Sequence, residues 1–154
     1  MREPDLSRPA ATVATLVVRD GAFLVVEEET GAGGRRINQP AGHLEAGETL
    51  VEAAIRETLE ETGRHVRPTA LIGIYRWQAP ETGATFIRFA YAADLVAHDR
   101  ERPLDAGILR ALWLSPAELF ACRARHRSPL VMRCVDDFLA GRRYPLDFVA
   151  DVAT

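Results

Sequence analysis

The residues best suited to chemistry are three glutamates that end one helical stretch of the sequence. Glu57, Glu60 and Glu61 lie just before Gly63. At about 100° per residue, Glu57 and Glu61 fall one turn apart on one helix face, with Glu60 beside them. Each carboxylate there is disfavoured by its neighbours and by the helix dipole, by roughly 0.3–1 kcal/mol. A bound cation would offset this repulsion, and an oxygen-only ligand set suits Mg²⁺ or Mn²⁺.

A solvated acidic face is the more common explanation for glutamates on a helix, so the surrounding residues decide between the two. Charged and glycine residues recur at fixed spacing at Gly42, Glu48, Arg56, Glu57, Glu60, Glu61 and Gly63. They resemble the Nudix hydrolase signature: a glycine, five residues, a glutamate, seven residues and then REUxEExGU, where U is a bulky aliphatic residue. Thr58 and Arg64 replace the aliphatic residues at two positions. Accidental agreement at every charged and glycine position is very rare, which favours the metal site.

The resemblance to the Nudix family implies a fold and a cofactor. The fold is of the α/β class, with a mixed β-sheet between α-helices. The cofactor is Mg²⁺, with Mn²⁺ as an alternative. By resemblance, the metal ligands are the carboxylates of Glu57, Glu60 and Glu61, together with the backbone carbonyl of Gly42.

The resemblance also assigns supporting roles. Arg56 and Glu48 are expected to form an ion pair that orients the metal-binding glutamates. Hydrolysis of a phosphoanhydride needs charge neutralisation and a general base that activates water. By resemblance Glu61 is that base. In this family a loop sometimes supplies it, and Asp105 is the candidate loop carboxylate here, although a solvated loop aspartate explains this residue equally well.

Within the family, residues 13–146 resemble the NudJ-type phosphatases, for example at Asn38-Gln39-Pro40-Ala41-Gly42 and Arg127-Ser128-Pro129. This resemblance implies release of orthophosphate from nucleoside triphosphates and diphosphates, and from hydroxymethylpyrimidine diphosphate. Two alternatives remain open. One is a pyrophosphatase of the nucleotide-sugar or ADP-ribose type, and the other is a non-catalytic nucleotide-binding module.

Four side chains outside the signature are candidate substrate contacts. Asn38 could bond the edge of a heterocycle or cap a loop. Trp77 could stack on a ring or pack at the rim of the core. Arg88 interrupts an apolar strand, so it needs an anion or a carboxylate as partner. Arg127 is a candidate phosphate contact, although many surface arginines have no specific role.

Composition excludes other chemistries and partners. All 19 basic residues are arginines, which rules out a Walker lysine and a Schiff base. A net charge of -3 provides no basic surface for a nucleic acid polymer, so we expect a small phosphate substrate. Cys122 and Cys134 lack CxxC spacing and are expected to be free thiols. Without a long apolar run, we expect no membrane contact, a cytoplasmic location, and a monomer or homodimer.

The elements that position these residues follow from periodicity and turn residues. Helical spacing over residues 49–62 predicts a helix that ends at Gly63, and two later helices are expected from Ser115-Pro116 and over residues 129–140. Strands are predicted at residues 12–18, 22–26, 67–77, 84–95 and 111–114. Asp20-Gly21 predicts a hairpin that pairs the first two strands, and residues 30–36 are predicted to be a loop. We expect one domain over residues 11–146, with tails at 1–10 and 147–154.

Overall fold

The computed structural model describes residues 5–152 and places the strands in two four-stranded sheets. The strands are β1 (Ala10–Leu16), β2 (Val18–Arg19), β3 (Ala22–Thr30), β4 (Gly34–Asn38), β5 (Ala41–His43), β6 (Arg64–Gln78), β7 (Thr85–His98) and β8 (Ile108–Leu114). The helices are α1 (Leu50–Thr62), α2 (Pro116–Ala121) and α3 (Leu130–Leu139), with short 3₁₀ turns at Gly31–Gly33, Arg123–Arg125 and Leu146–Phe148. Parts of both predicted tails, residues 1–4 and 153–154, lie outside the described residues.

The first sheet is mixed and carries a helix on each face. Its strand order is β5-β1-β7-β6, with β1 and β7 parallel and the other pairs antiparallel. Successive strand residues face opposite sides. Leu71 and Tyr91 pack with Ala53 of α1, whereas Ile72 packs with Val131 of α3. The two helices therefore cover opposite faces of this sheet, which confirms the predicted α/β class and its helix–sheet–helix layering.

Helix α1, which carries the glutamates, begins and ends as the sequence predicts. Thr49 and Glu52 form a reciprocal capping box at its start. Gly63 takes a left-handed conformation with φ 70°, and its N–H bonds to the Leu59 carbonyl. Such capping satisfies backbone groups that the helix leaves free at its ends. Both ends of α1 are thus fixed by local residues.

The predicted antiparallel pairing of residues 12–18 with 22–26 is wrong over most of its length. Asp20 and Gly21 do form a turn, with φ 51° and 76°. However, only Val18–Arg19 pairs antiparallel with β3, while Ala10–Leu16 pairs parallel with β7 in the other sheet. The end of β1 is an unbroken buried run, which is typical of a central strand covered on both faces. The chain therefore changes sheets just after Leu16.

The predicted loop at residues 30–36 is partly a strand. β3 extends to Thr30, and β4 begins at Gly34 and pairs with it. In this pairing Glu29 lies opposite Arg35 and Glu28 opposite Arg36, and opposite charges on facing strands stabilise such pairs. The many charged residues and glycines of this segment leave no alternation of apolar and polar residues that would predict a strand.

Three further observations complete the fold. β8 pairs with β3 and brings the preceding loop, residues 99–107, toward the end of α1. Both cysteines are free, as predicted. Across residues 5–152, no helix combines the length and the apolar character that a membrane crossing demands.

Candidate active site

Three carboxylates meet at the end of helix α1. Oxygens of Glu57, Glu60 and Asp105 all lie within 4.8 Å of one another. The backbone holds Asp105 there, because its N–H donates to the carbonyl of Glu60 at 3.0 Å. A cluster of carboxylate oxygens is the donor set that Mg²⁺ and Mn²⁺ prefer. The residues present therefore fit a hard divalent cation, and Asp105, although exposed like a solvated loop aspartate, lies within the cluster.

Glu61, the predicted third ligand and base, lies beside this cluster and is only 7% exposed. Its Oε1 accepts a hydrogen bond from the Ala41 N–H at 2.9 Å. Burial raises the pKa of Glu61 to about 9, with added effects of the carboxylates of Glu28, Glu57 and Asp105. Without a cation, Glu61 therefore holds a proton at neutral pH.

The predicted ion pair of Arg56 and Glu48 is present. Nε and Nη2 of Arg56 donate to the two Glu48 oxygens at 2.9 and 2.7 Å, a bidentate contact. Nη1 of the same guanidinium donates to Glu57 at 2.8 Å and to Glu60 at 3.2 Å. These bonds from Arg56 lower the pKa of Glu48. One arginine thus fixes the side chains of two residues in the acidic cluster.

Gly42 allows the closest backbone approach in the site. A Cβ atom at this position would overlap the carboxylate of Glu57. Gly42 lies in β5, opposite Val13 of β1, so the sheet fixes its place. Any side chain here would push Glu57 out of position.

A cavity of about 310 Å³ adjoins the acidic cluster. The predicted site residues among its lining are Gly42, Glu61, Asn38, Trp77, Arg88 and Arg127. The structure thus gathers all four candidate substrate contacts around one space. The lining does not include Glu48, Arg56, Glu57, Glu60 or Asp105. A volume of this size suits a small organic ligand.

Arg88 differs from expectation in its partners. It is 5% exposed, yet no described residue offers it a carboxylate within ion-pair distance. Two amide oxygens accept its hydrogen bonds instead, Gln39 Oε1 at 2.9 Å and Asn38 Oδ1 at 3.1 Å. Asn38 therefore positions Arg88 rather than capping a loop. Amide oxygens orient the guanidinium without neutralising it, so the cavity wall carries a positive charge.

Beside Arg88 on the same face of β7, the lining of the cavity is aromatic. Trp77 and Phe86 stack with ring centroids 5.8 Å apart and an interplanar angle of 22°. Phe86 also meets the ring of His43, at 6.5 Å. All three rings belong to residues that line the cavity. A planar ring of a ligand can extend such a stack.

Sequence reasoning missed Glu28, Gln39 and Phe86. Burial raises the pKa of Glu28, which pairs with Arg127 at 3.4 Å. The only available signal for Phe86 was its spacing: it precedes Arg88 by two residues and so shares its strand face. Glu28 and Gln39 act through side-chain contacts with residues distant in sequence, Arg127 and Arg88, which no local pattern reports.

Comparisons with known proteins show the family of the chain. A family model described as NUDIX domain matches residues 6–134. The chain is similar to "Phosphatase NudJ" of Escherichia coli strain K12, with 44% identity over 144 residues, 94% of this chain and 92% of the relative. The Shigella flexneri protein of the same name matches with equal figures, 44% over 144 residues. A solved structure, a NUDIX hydrolase from Nitrosomonas europaea, has 46% identity and a TM-score of 0.92, covering 94% of this chain and 98% of that one.

Proposed function

Because the chain belongs to the Nudix hydrolase family and is a hydrolase of phosphoanhydride bonds, we propose that it is a Mg²⁺-dependent phosphatase of small organic diphosphates and triphosphates. The proposed substrates are nucleoside triphosphates and diphosphates and hydroxymethylpyrimidine diphosphate. The proposed product is orthophosphate. One observation carries this proposal: an acidic cluster fit for a hard cation adjoins a small cavity with one cationic and one aromatic wall.

The residues divide the work of binding. Glu57, Glu60 and Asp105 would hold Mg²⁺, with the Gly42 carbonyl and Glu61 as further donors. Bound there, Mg²⁺ supplies the Lewis acidity that phosphoanhydride hydrolysis needs. Arg56 keeps two of these carboxylates in place through its bonds at 2.8 and 3.2 Å.

Glu61 is the proposed general base. It is the carboxylate that faces both the acidic cluster and the cavity. A cation on its neighbours favours the ionised form of Glu61, because opposite charge stabilises a carboxylate. The ionised oxygen can then accept a proton from the attacking water. Asp105, which lies within the cluster itself, is the alternative base.

The cavity walls would orient the substrate. The guanidinium of Arg88 is fixed by two amide oxygens and forms no ion pair with a described carboxylate, although Glu28 lies near enough to interact with its charge, so it can attract the phosphate chain. Arg127 pairs with Glu28 at 3.4 Å, an exposed contact that a phosphate oxygen can replace. The Trp77–Phe86 stack suits a pyrimidine or purine ring. Together these contacts would hold both the ring and the phosphate chain of a substrate in one cavity.

Product identity tests the proposal. The purified protein is incubated with Mg²⁺ and each of ATP, ADP, hydroxymethylpyrimidine diphosphate and ADP-ribose, and every product is quantified. We expect orthophosphate from the first three. Pyrophosphate as the sole product of the triphosphate, or cleavage of ADP-ribose alone, would instead indicate a pyrophosphatase. Saturable binding without any product would indicate a non-catalytic binding module.

A further inference from the structure

A second buried arginine, Arg64, lies outside the cavity and has no role in the proposed reaction. It occupies the position where the Nudix signature has an aliphatic residue. In the structure it is the first residue of β6, directly after Gly63, and it is 9% exposed. Burying a charged side chain at a position that an apolar side chain can fill costs free energy unless a partner compensates the charge.

The guanidinium of Arg64 lacks most of its hydrogen-bond partners. Only Nη1 donates, to the Thr62 carbonyl at 3.0 Å. Its Nε is buried with no partner among residues 5–152, and no described carboxylate lies within ion-pair distance. Nε and Nη2 form one edge of the guanidinium, the same edge with which Arg56 grips both oxygens of Glu48. In Arg64 the Nε end of this edge has no partner in the described part of the chain and is closed to solvent.

The surroundings of Arg64 add further donors and further positive charge. Its Cζ lies 5.5 Å from the ring centroid of Trp113, and the Cζ of Arg19 lies 4.3 Å from the same centroid. The indole Nε1 of Trp113 is also buried without a partner in the described part of the chain. Two neighbouring buried N–H groups without acceptors, those of Arg64 Nε and Trp113 Nε1, are unusual, because buried donors are almost always hydrogen-bonded.

The neighbouring charges are mostly of one sign. Burial lowers the pKa of Arg64, and the nearby charges of Arg19 and Arg100 lower it further. The pKa of His98 is lowered by burial and by the same three arginines, against the opposing effect of Asp99. Asp99 already accepts a hydrogen bond from the Glu101 N–H at 3.2 Å. One acidic group therefore faces several cations, and the excess charge is positive.

We propose that Arg64, Arg19 and Trp113 form a binding site for a phosphate-like oxyanion, separate from the catalytic cavity. Two oxygens of the anion would accept from the Nε/Nη2 edge of Arg64 once the side chains that close Nε to solvent move aside, and its charge would relieve the repulsion between the arginines. A water molecule satisfies one donor but leaves that repulsion. Inorganic phosphate is the simplest ligand of this class.

Nuclear magnetic resonance of the metal-free protein tests this site directly. The chain contains two tryptophans, so the indole N–H signals of Trp113 and Trp77 report separately on this site and on the cavity. Phosphate replaces chloride at constant ionic strength. We expect a saturable shift of the Trp113 signal, with half-saturation at about 1 mM. No saturable shift up to about 50 mM phosphate would overturn the proposal.

Three variants assign the shift to these residues. Arg64→Leu restores the aliphatic residue of the signature and is expected to abolish it, whereas Arg76→Leu, an exposed arginine of the same strand, is expected to leave it unchanged. Arg19→Gln, at an exposed position, is expected to weaken binding about threefold or more. Phosphate is also expected to raise the Tm of the unsubstituted protein more than that of Arg64→Leu, in which only the catalytic cavity can still bind it. An unchanged Trp113 response in Arg64→Leu, or in Arg19→Gln if the first variant does not fold, would contradict the site.

Discussion

Replacement of Glu61 by glutamine is expected to stabilise the metal-free protein while it removes activity. The pKa of Glu61 is raised from its ordinary 4.5 to about 9, first by burial. Between these two pH values the folded protein must bind a proton that the unfolded chain does not hold. Stability therefore falls with rising pH, by up to about 1.4 kcal/mol per pH unit. From pH 4.5 to pH 7.5, which is three units, the loss reaches at most about 4 kcal/mol.

Glutamine avoids this loss, because it is neutral at every pH and its Oε1 can still accept from the Ala41 N–H. Since relaxation around a buried group reduces the penalty, we expect metal-free Glu61→Gln to be about 1–3 kcal/mol more stable at pH 7.5. The corresponding rise in Tm is about 3–10 °C for a chain of this size. The difference between the two proteins should shrink as the pH approaches 5. With Mg²⁺ and substrate, kcat should fall at least about 100-fold.

The assay is thermal unfolding in metal-free buffer from pH 5 to pH 8.5, together with phosphate release in Mg²⁺. Glu81→Gln is the matched control, because Glu81 lies in the exposed turn between β6 and β7, and its effect should stay within about 0.5 kcal/mol. A Glu61→Gln protein that is less stable than the unsubstituted one at pH 7.5, or a stability difference independent of pH, would show that burial does not raise the pKa of Glu61. Near-normal turnover would refute the catalytic role.

Three other perturbations have defined outcomes. Gly42→Ala places a Cβ atom against the carboxylate of Glu57. The Mn²⁺ affinity measured by titration should therefore fall about tenfold or more. Unchanged affinity would show that the Glu57 carboxylate does not need its close approach to the backbone of Gly42. Trp77→Ala should raise KM about 10-fold or more for ring-bearing substrates but leave inorganic tripolyphosphate unaffected, and an equal effect on both would exclude stacking. Asp137→Asn tests how stability depends on pH. Burial alone would raise the pKa of Asp137, but hydrogen bonds, led by that of the Tyr75 hydroxyl, lower it. The ionised carboxylate therefore stabilises the folded protein at neutral pH, and this contribution is lost as the pH falls through the folded pKa. Urea unfolding should show a loss of about 1–3 kcal/mol at pH 7 that shrinks near pH 3; a loss of equal size at both pH values would argue against the charged pair.

The helix that carries the glutamates could be predicted because its determinants are local. Thr49, Glu52 and Gly63 mark its ends, and apolar periodicity marks its buried face. The ion pair of Arg56 with Glu48 was predictable too, although only through the family signature. Their separation of eight residues gives no direct geometric cue.

Features set by pairing between distant segments could not be predicted. The sheet change after Leu16 depends on the parallel partner β7, more than seventy residues away. Asp105 was named as a candidate loop carboxylate only through the family resemblance, because nothing in its local sequence reports the bond from its backbone N–H to the Glu60 carbonyl in α1. Arg88 was recognised as needing a partner, but two amide oxygens rather than a carboxylate supply it.

The central claim is that the carboxylates of Glu57, Glu60 and Asp105 hold hard divalent cations beside the cavity. Electron paramagnetic resonance of Mn²⁺ titrated into the protein without substrate tests it most directly, with Glu57→Gln as the comparison. Saturable loss of the free Mn²⁺ signal is predicted, with affinity reduced about tenfold or more in the variant. A free Mn²⁺ signal that the protein does not diminish, or identical Mn²⁺ binding by Glu57→Gln, would show that these carboxylates do not hold the cation.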